Sequence, residues 1–108
     1  MLSVTVRNRS KVRLGFGSMF ERADKKVAVA LLYDKIKAPK ITAKGTDTLA
    51  AEIIAIAEEA GVAVSEDPLL AETLSQLEIN SEIPEELFKS VAIVLAWVYR
   101  LQEKTPWD

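Results

Sequence analysis

The chain has 108 residues, 49% of them hydrophobic and 28% charged, which is the composition of one globular domain and not of a disordered chain. It has no cysteine and no histidine, so disulfides, zinc–thiolate sites, thiol nucleophiles and imidazole acid/base catalysis are excluded. The net charge of −2 is not that of a polyanion binder, and no apolar run approaches the about 20 residues that cross a bilayer. We therefore expect a soluble protein with no metal and no cofactor.

Residues 1–22 differ from the rest of the chain in charge. They carry five basic residues and one acidic residue, whereas residues 23–108 carry nine basic and 15 acidic residues. Two short alternating patterns permit a hairpin; they are Leu2, Val4, Val6 and Val12, Leu14, Phe16. Gly17-Ser18-Met19 also resembles a cloning junction. Residues 1–22 are accordingly predicted to be a basic leader, a tag or a hairpin.

The run Val27–Tyr33 is predicted to be the central strand. It is apolar at each of its positions, whereas a strand covered on one face alternates apolar and polar residues. Its length suits a strand rather than a helix. We expect protein on both of its faces.

A second strand and a helix are predicted next. After a polar connection that ends at Pro39, Ile41 and Ala43 alternate with polar residues in a peripheral strand, antiparallel to the first. Thr46 is the predicted N-cap of a helix, and Gly61 ends that helix in a left-handed conformation. The predicted apolar side of the helix consists of Leu49, Ile53, Ile56, Ala57 and Ala60.

Val62–Ser65 is predicted to be a strand parallel to the second one, which completes a strand–helix–strand unit. Asp67-Pro68 is typical of a helix start. The apolar side of this helix is predicted to be Leu69, Leu70, Leu74 and Leu77. A further short strand is predicted near Leu77–Ile79.

The longest helix is predicted from Pro84 to about Lys104. One stripe should face the sheet, namely Leu87, Val91, Val94, Val98 and Leu101. The residues Ala92, Ile93, Leu95, Ala96 and Trp97 make the middle of the helix apolar on all sides. Either the rest of the chain covers this second face, or it is a docking surface for another protein.

Together these elements predict the α/β class: one domain with a small mixed four-stranded sheet flanked by helices. The predicted domain spans residues 23–104, and residues 105–108 form a tail.

Several separated motifs follow one another in a fixed order. They are Val27-Ala28-Val29-Ala30-Leu31-Leu32-Tyr33-Asp34, Ala38-Pro39, Ala43-Lys44-Gly45, Asp67-Pro68-Leu69-Leu70-Ala71, Ile83-Pro84-Glu85-Glu86-Leu87-Phe88 and Val98-Tyr99-Arg100-Leu101. In this order they resemble the cytoplasmic C-terminal domain of the FlhB/YscU family, which belongs to the flagellar and type III secretion export apparatus. The resemblance covers about residues 23–104. The membrane part of the full-length family is not in this chain, which therefore resembles the free-standing, FlhB-related type or an excised domain.

The resemblance implies an interaction domain, cytoplasmic and peripheral at the export gate. Its expected partners are export-apparatus proteins and secretion substrates, and its expected role is to contribute to substrate recognition or to specificity switching. The alternative function is a small nucleic-acid-binding protein that uses the basic residues 1–22, although no known nucleic-acid-binding motif accompanies them.

One departure from the family lies just before the central strand. The family typically carries Asn-Pro-Thr-His there and cleaves itself between the asparagine and the proline, with the asparagine side-chain amide as nucleophile. In this chain Ala23, Asp24, Lys25 and Lys26 occupy those positions. Alanine has no nucleophile, so we expect an uncleaved chain without enzymatic activity.

Proteins of this family are thought to bind export substrates through a hydrophobic surface. The positions that this implies here are Ala38, Pro39, Ala92, Leu95 and Ala96. Three of them have a structural explanation as well, because Pro39 can end a turn and Ala92 and Leu95 can belong to the core.

Overall fold

A mixed sheet of four strands organises the chain. The computed structural model describes residues 2–8, 26–34 and 36–103. The elements are β1 (Leu2–Arg7), β2 (Val27–Tyr33), β3 (Lys40–Thr46), α1 (Asp47–Glu59), β4 (Ala63–Glu66), α2 (Pro68–Ser75), a 3-10 turn (Glu85–Leu87) and α3 (Phe88–Glu103). The strand order is β3-β2-β1-β4. β2 is antiparallel to both of its neighbours, and β4 is parallel to β1.

β2 lies inside the sheet and is covered on both faces, which confirms the prediction for Val27–Tyr33. Val27, Val29 and Leu31 are buried in the larger core with residues of α2 and α3. Ala28 points to the other face, where it packs with Ala50 and Ile54 of α1. Helices therefore cover both faces of the sheet, and the α/β fold class is confirmed.

β1 is the other interior strand. Leu2, Val4 and Val6 belong to the larger core, and Thr5 of this strand is also buried. The sheet thus contains residues on both sides of the boundary predicted at residue 22. The second half of the predicted hairpin, Val12 to Phe16, lies outside the described residues, as does the tail at 105–108.

α1 begins and ends where the sequence predicts. Thr46 is the N-cap residue, although its side chain makes no capping hydrogen bond. At the other end Gly61 has a φ of +76°; its N–H donates to Glu58 O (3.2 Å), and the Val62 N–H donates to Ala57 O (2.8 Å). These two bonds are those of a Schellman motif, in which a left-handed residue ends the helix.

The core face of α1 differs from the predicted one. Its buried residues are Ala50, Ile54 and Ala57, whereas Leu49 and Ile56 are 50% and 64% exposed. Ala57 was predicted correctly, and Ile53 is partly buried against the core. The observed face is therefore rotated from the predicted one and overlaps with it. Ala28 of the sheet and Ala50 of α1 pack together and are both small, which allows the helix to approach the sheet closely.

The prediction of a strand near Leu77–Ile79 is wrong, because this segment is irregular. Asn80 has a φ of +74°, a left-handed conformation that interrupts an extended strand. The chain reaches the outer edge of β3 immediately afterwards: the Ile41 N–H donates to Ser81 O (3.2 Å), and the Ile83 N–H donates to Pro39 O (2.9 Å). An irregular segment therefore covers the β3 edge.

The helix α2 begins where the sequence predicts, whereas α3 begins later than predicted. Asp67 caps α2 as expected, accepting from the Leu70 N–H (3.2 Å), but Leu69 is 78% exposed and does not join the core. α3 begins at Phe88 after the 3-10 turn, later than the predicted Pro84. Leu101, predicted to face the sheet, is 45% exposed. Within the part of the chain that is described, no helix has the length and apolar character that a bilayer crossing requires.

Candidate functional site

An open apolar groove of about 700 Å³ runs beside α3. Its other walls come from the connection between β2 and β3 and from the ends of β1 and β2. The described residues that line it are Leu2, Tyr33, Ile36, Lys37, Ala38, Pro39, Phe88, Val91, Ala92, Leu95, Ala96, Tyr99 and Arg100.

Local hydrogen bonds shape the connection at the edge of the groove. Asp34 Oδ1 accepts from the N–H groups of Ile36 (2.9 Å) and Lys37 (3.1 Å). These bonds lower the pKa of the Asp34 carboxyl below its usual value, with a smaller contribution from the charge of Lys37. The turn leaves the Ile36 side chain 84% exposed, and the bond from Ile83 to Pro39 O fixes the far end of the connection.

α3 supplies the opposite wall. Ala92 and Ala96 are exposed and four residues apart, so they lie on one face of the helix and leave a shallow floor. Leu95 and Val91 are buried beneath them. Phe88 and Tyr99, which are 44% and 43% exposed, extend the same apolar surface toward the two ends of the helix.

All five residues predicted for protein binding line this one groove: Ala38, Pro39, Ala92, Leu95 and Ala96. Their binding role stays a prediction, and Leu95 also belongs to the core. Sequence reasoning missed Tyr33, Ile36, Phe88 and Tyr99. The spacing of Phe88, Ala92, Leu95 and Tyr99 along α3 could have indicated that they share a face.

The charged residues among those that line the groove are basic. Lys37 and Arg100 line it and both are exposed. Among the described lining residues there is no carboxylate. The charged side chains among the described lining residues are therefore both positive.

The positions that match the family's cleavage motif immediately precede β2 in the sequence. Ala23, Asp24 and Lys25 are outside the described residues. Lys26 is exposed, and its carbonyl oxygen accepts from the Asp47 N–H (2.9 Å). Asp47, the first residue of α1, has a φ of +53°, a conformation that non-glycine residues rarely adopt. The residue just before β2 is therefore hydrogen-bonded to a residue in an unusual backbone conformation.

Carboxylates are dispersed over the described surface. No three of them in that part of the chain lie close enough together to hold a metal ion. Glu85 and Glu86 are adjacent in the 3-10 turn and both exposed.

Comparison with known proteins identifies relatives of this fold and sequence. The profile of the FlhB, HrpN, YscU and SpaS family matches residues 24–98. The uncharacterized protein YlqH of Bacillus subtilis is 40% identical over 87 residues, which are 79% of this chain and 94% of YlqH. The flagellar biosynthetic protein FlhB of Bacillus subtilis is 48% identical over 80 residues, which are 71% of this chain and 22% of FlhB. The chain thus spans nearly all of YlqH and about a fifth of FlhB.

Solved structures have the same fold. The cytoplasmic domain of FlhB from Shewanella putrefaciens aligns with a TM-score of 0.72 and 33% identity, covering 93% of this chain and 71% of that one. A mutated EscU C-terminal domain aligns with a TM-score of 0.69 and 24% identity, covering 88% and 83%. The second match concerns the fold alone.

Proposed function

The chain belongs to the FlhB, HrpN, YscU and SpaS family, and on that basis we propose that it is a noncatalytic interaction domain of the flagellar or type III secretion export apparatus. It contributes to the recognition of export substrates or to the switch between substrate classes. Its place is in the cytoplasm, at the periphery of the export gate. Its partners are export-apparatus proteins and secretion substrates.

The observation that carries the proposal is the groove beside α3. Two short motifs more than 50 residues apart, Ala38-Pro39 and the segment from Ala92 to Ala96, meet there and form one open apolar surface. Concave apolar surfaces of this kind bind apolar side chains of a partner. The exposed alanines leave room for such side chains, whereas larger residues would fill it.

We further propose that the chain acts without self-cleavage. The family's reaction needs the side-chain amide of an asparagine next to proline, and the chain has Ala23 and Asp24 at the matching positions. Its two asparagines precede Arg9 and Ser81 and not a proline. The conformation of the loop before β2 is thus not changed by a break in the chain.

Functional replacement tests the proposal. The chain is expressed in cells whose FlhB lacks its cytoplasmic domain, and secretion of export substrates is measured. We expect secretion to be restored at least partly, and Ala96→Asp, which puts a charge on the groove floor, to abolish the restoration. Ile93→Asp is the matched control, because Ile93 is on the same helix, is 64% exposed and does not line the groove. Equal secretion with Ala96→Asp and with the unaltered chain would contradict the role of the groove.

A further inference from the structure

The groove has a charge preference that specifies its partner. We propose that it binds an apolar segment of another polypeptide whose flanking side chains are acidic, and that it discriminates against segments with basic flanks. This inference rests on the proposed function, since it concerns the partner of the same groove.

The charged side chains that line the groove come from two of its walls. Lys37 lies on the connection between β2 and β3 and Arg100 near the end of α3, so the two cations come from different walls of the groove. No carboxylate lines the described part of it. A basic segment would meet like charge on both walls, whereas an acidic one would meet opposite charge on both.

Asp34 is the carboxylate that shares a turn with Lys37. Its Oδ1 already accepts from two backbone N–H groups, and it is not among the lining residues. It therefore compensates part of the Lys37 charge from within the turn and leaves the groove itself positive.

The dimensions of the groove set the size of the segment. Its lining extends along α3 from Phe88 to Arg100, which is about 18 Å at 1.5 Å per helical residue. That length accommodates about five extended residues at about 3.3 Å each. One or two large apolar side chains would lie over Ala92 and Ala96, and the acidic residues that flank them would face the cations of the two walls.

The apolar contact supplies affinity and the charges supply selectivity. Exposed ion pairs contribute little each, so two cations should favour acidic over basic flanks by about fivefold at low salt. Because the side chains are exposed, the preference should shrink as the ionic strength approaches about 1 M.

A random peptide library tests the proposal without knowledge of the natural partner. Peptides with apolar residues at varied spacings and randomised flanks are selected on the complete chain and counter-selected on Ala96→Gln, whose longer uncharged side chain occupies the groove floor without adding a charge. We expect enrichment of Asp and Glu in the flanks and depletion of Lys and Arg. One enriched peptide is then measured by fluorescence anisotropy against the unaltered chain, Lys37→Glu/Arg100→Glu and the control Lys40→Glu/Lys89→Glu.

The control double variant changes net charge by the same amount, at exposed lysines that do not line the groove. We expect the groove variant to lose about fivefold or more in affinity and the control to lose less than about twofold. Neutral or basic flanks, or equal losses in the two variants, would overturn the charge preference while leaving the groove as a docking site. Failure to select any peptide that Ala96→Gln rejects would overturn both the docking site and the preference. A dimer of the chain that Ala96→Asp dissociates would assign the groove to a second copy and also overturn the proposal.

Discussion

Two polar side chains bind backbone N–H groups, one at the end of a strand and one at the start of a helix. Asn8 follows β1, and there its N–H donates to Val27 O (3.2 Å) while its Oδ1 accepts from the Val27 N–H (3.0 Å). Asp67 precedes α2 and accepts from the Leu70 N–H. A buried backbone group without a partner costs about 1–3 kcal/mol. Each side chain therefore accepts from a backbone N–H: Asn8 from the first residue of β2, and Asp67 from the first turn of α2.

The Asp67 cap leads to a stability prediction. Asp67→Ala removes the acceptor at the first turn of α2 and should lower the free energy of unfolding by about 1 kcal/mol, whereas Asp67→Asn should lower it by much less. Urea unfolding followed by circular dichroism measures both. Glu72→Ala is the control, since Glu72 is an exposed residue of the same helix. Similar losses for Asp67→Ala and Glu72→Ala would show that the cap has no special contribution.

The missing amide at residue 23 gives a second prediction. The purified chain should have the intact mass of 11.9 kDa. The fourfold variant Ala23→Asn, Asp24→Pro, Lys25→Thr and Lys26→His should yield fragments 1–23 and 24–108, because it introduces both the nucleophile and the proline.

Mass spectrometry follows the two species over time. The variant that retains Ala23 and carries the other three substitutions is the control, and it should stay intact. Cleavage of the unaltered chain between Ala23 and Asp24 would refute our explanation, as would cleavage of the control.

At the scale of elements, a side chain of the edge strand β3 links the sheet to the end of α2. Lys44 Nζ donates to the carbonyl oxygens of Ser75 (3.1 Å) and Leu77 (2.6 Å). The last carbonyl groups of a helix have no partner within it, and a positive charge there also interacts favourably with the helix dipole. The end of α2 is thus held by a residue far away in sequence.

Lys44→Met tests this link, because it keeps most of the aliphatic side chain and removes the donor. Two part-buried carbonyl groups lose a charged donor, so we expect the free energy of unfolding to fall by about 2 kcal/mol. Hydrogen exchange should increase most at the end of α2. Lys40→Met, at an exposed position of the same strand, should have an effect below about 0.5 kcal/mol. Unchanged exchange in α2 would contradict the capping role.

At the scale of the whole molecule, the sequence predicts those features that depend on residues close together in the chain. It does not predict features that depend on contacts between distant segments. β2 was predictable because its apolar residues are continuous, and the end of α1 because Gly61 favours a left-handed conformation. The core face of α1 was predicted only in part, since it depends on how the helix packs on Ala28 of the sheet. The groove residues were predicted through the family resemblance, but their common location, with Lys37 and Arg100, depends on how α3 packs against the sheet.

The position of β1 changes how the alternative function must be tested. Deleting residues 1–22 would remove the basic residues, but it would also remove an interior strand with three buried apolar side chains, Leu2, Val4 and Val6. Burying side chains of this size contributes about 1.5–3 kcal/mol each, which together approaches the stability of a typical domain. We expect the truncated chain to be unfolded by circular dichroism, whatever the natural function is.

Substitution separates the two functions without this loss. Arg9→Ser/Lys11→Ser/Arg13→Ser removes three of the basic residues and keeps β1. If the chain is an export domain, the variant should fold with unchanged secondary structure and restore secretion as well as the unaltered chain. A nucleic-acid-binding protein would instead bind single- or double-stranded oligonucleotides with an affinity that falls steeply with salt and is reduced in the variant. Salt-sensitive binding lost in the folded variant, combined with no restored secretion by the unaltered chain, would replace the export function with the nucleic-acid one.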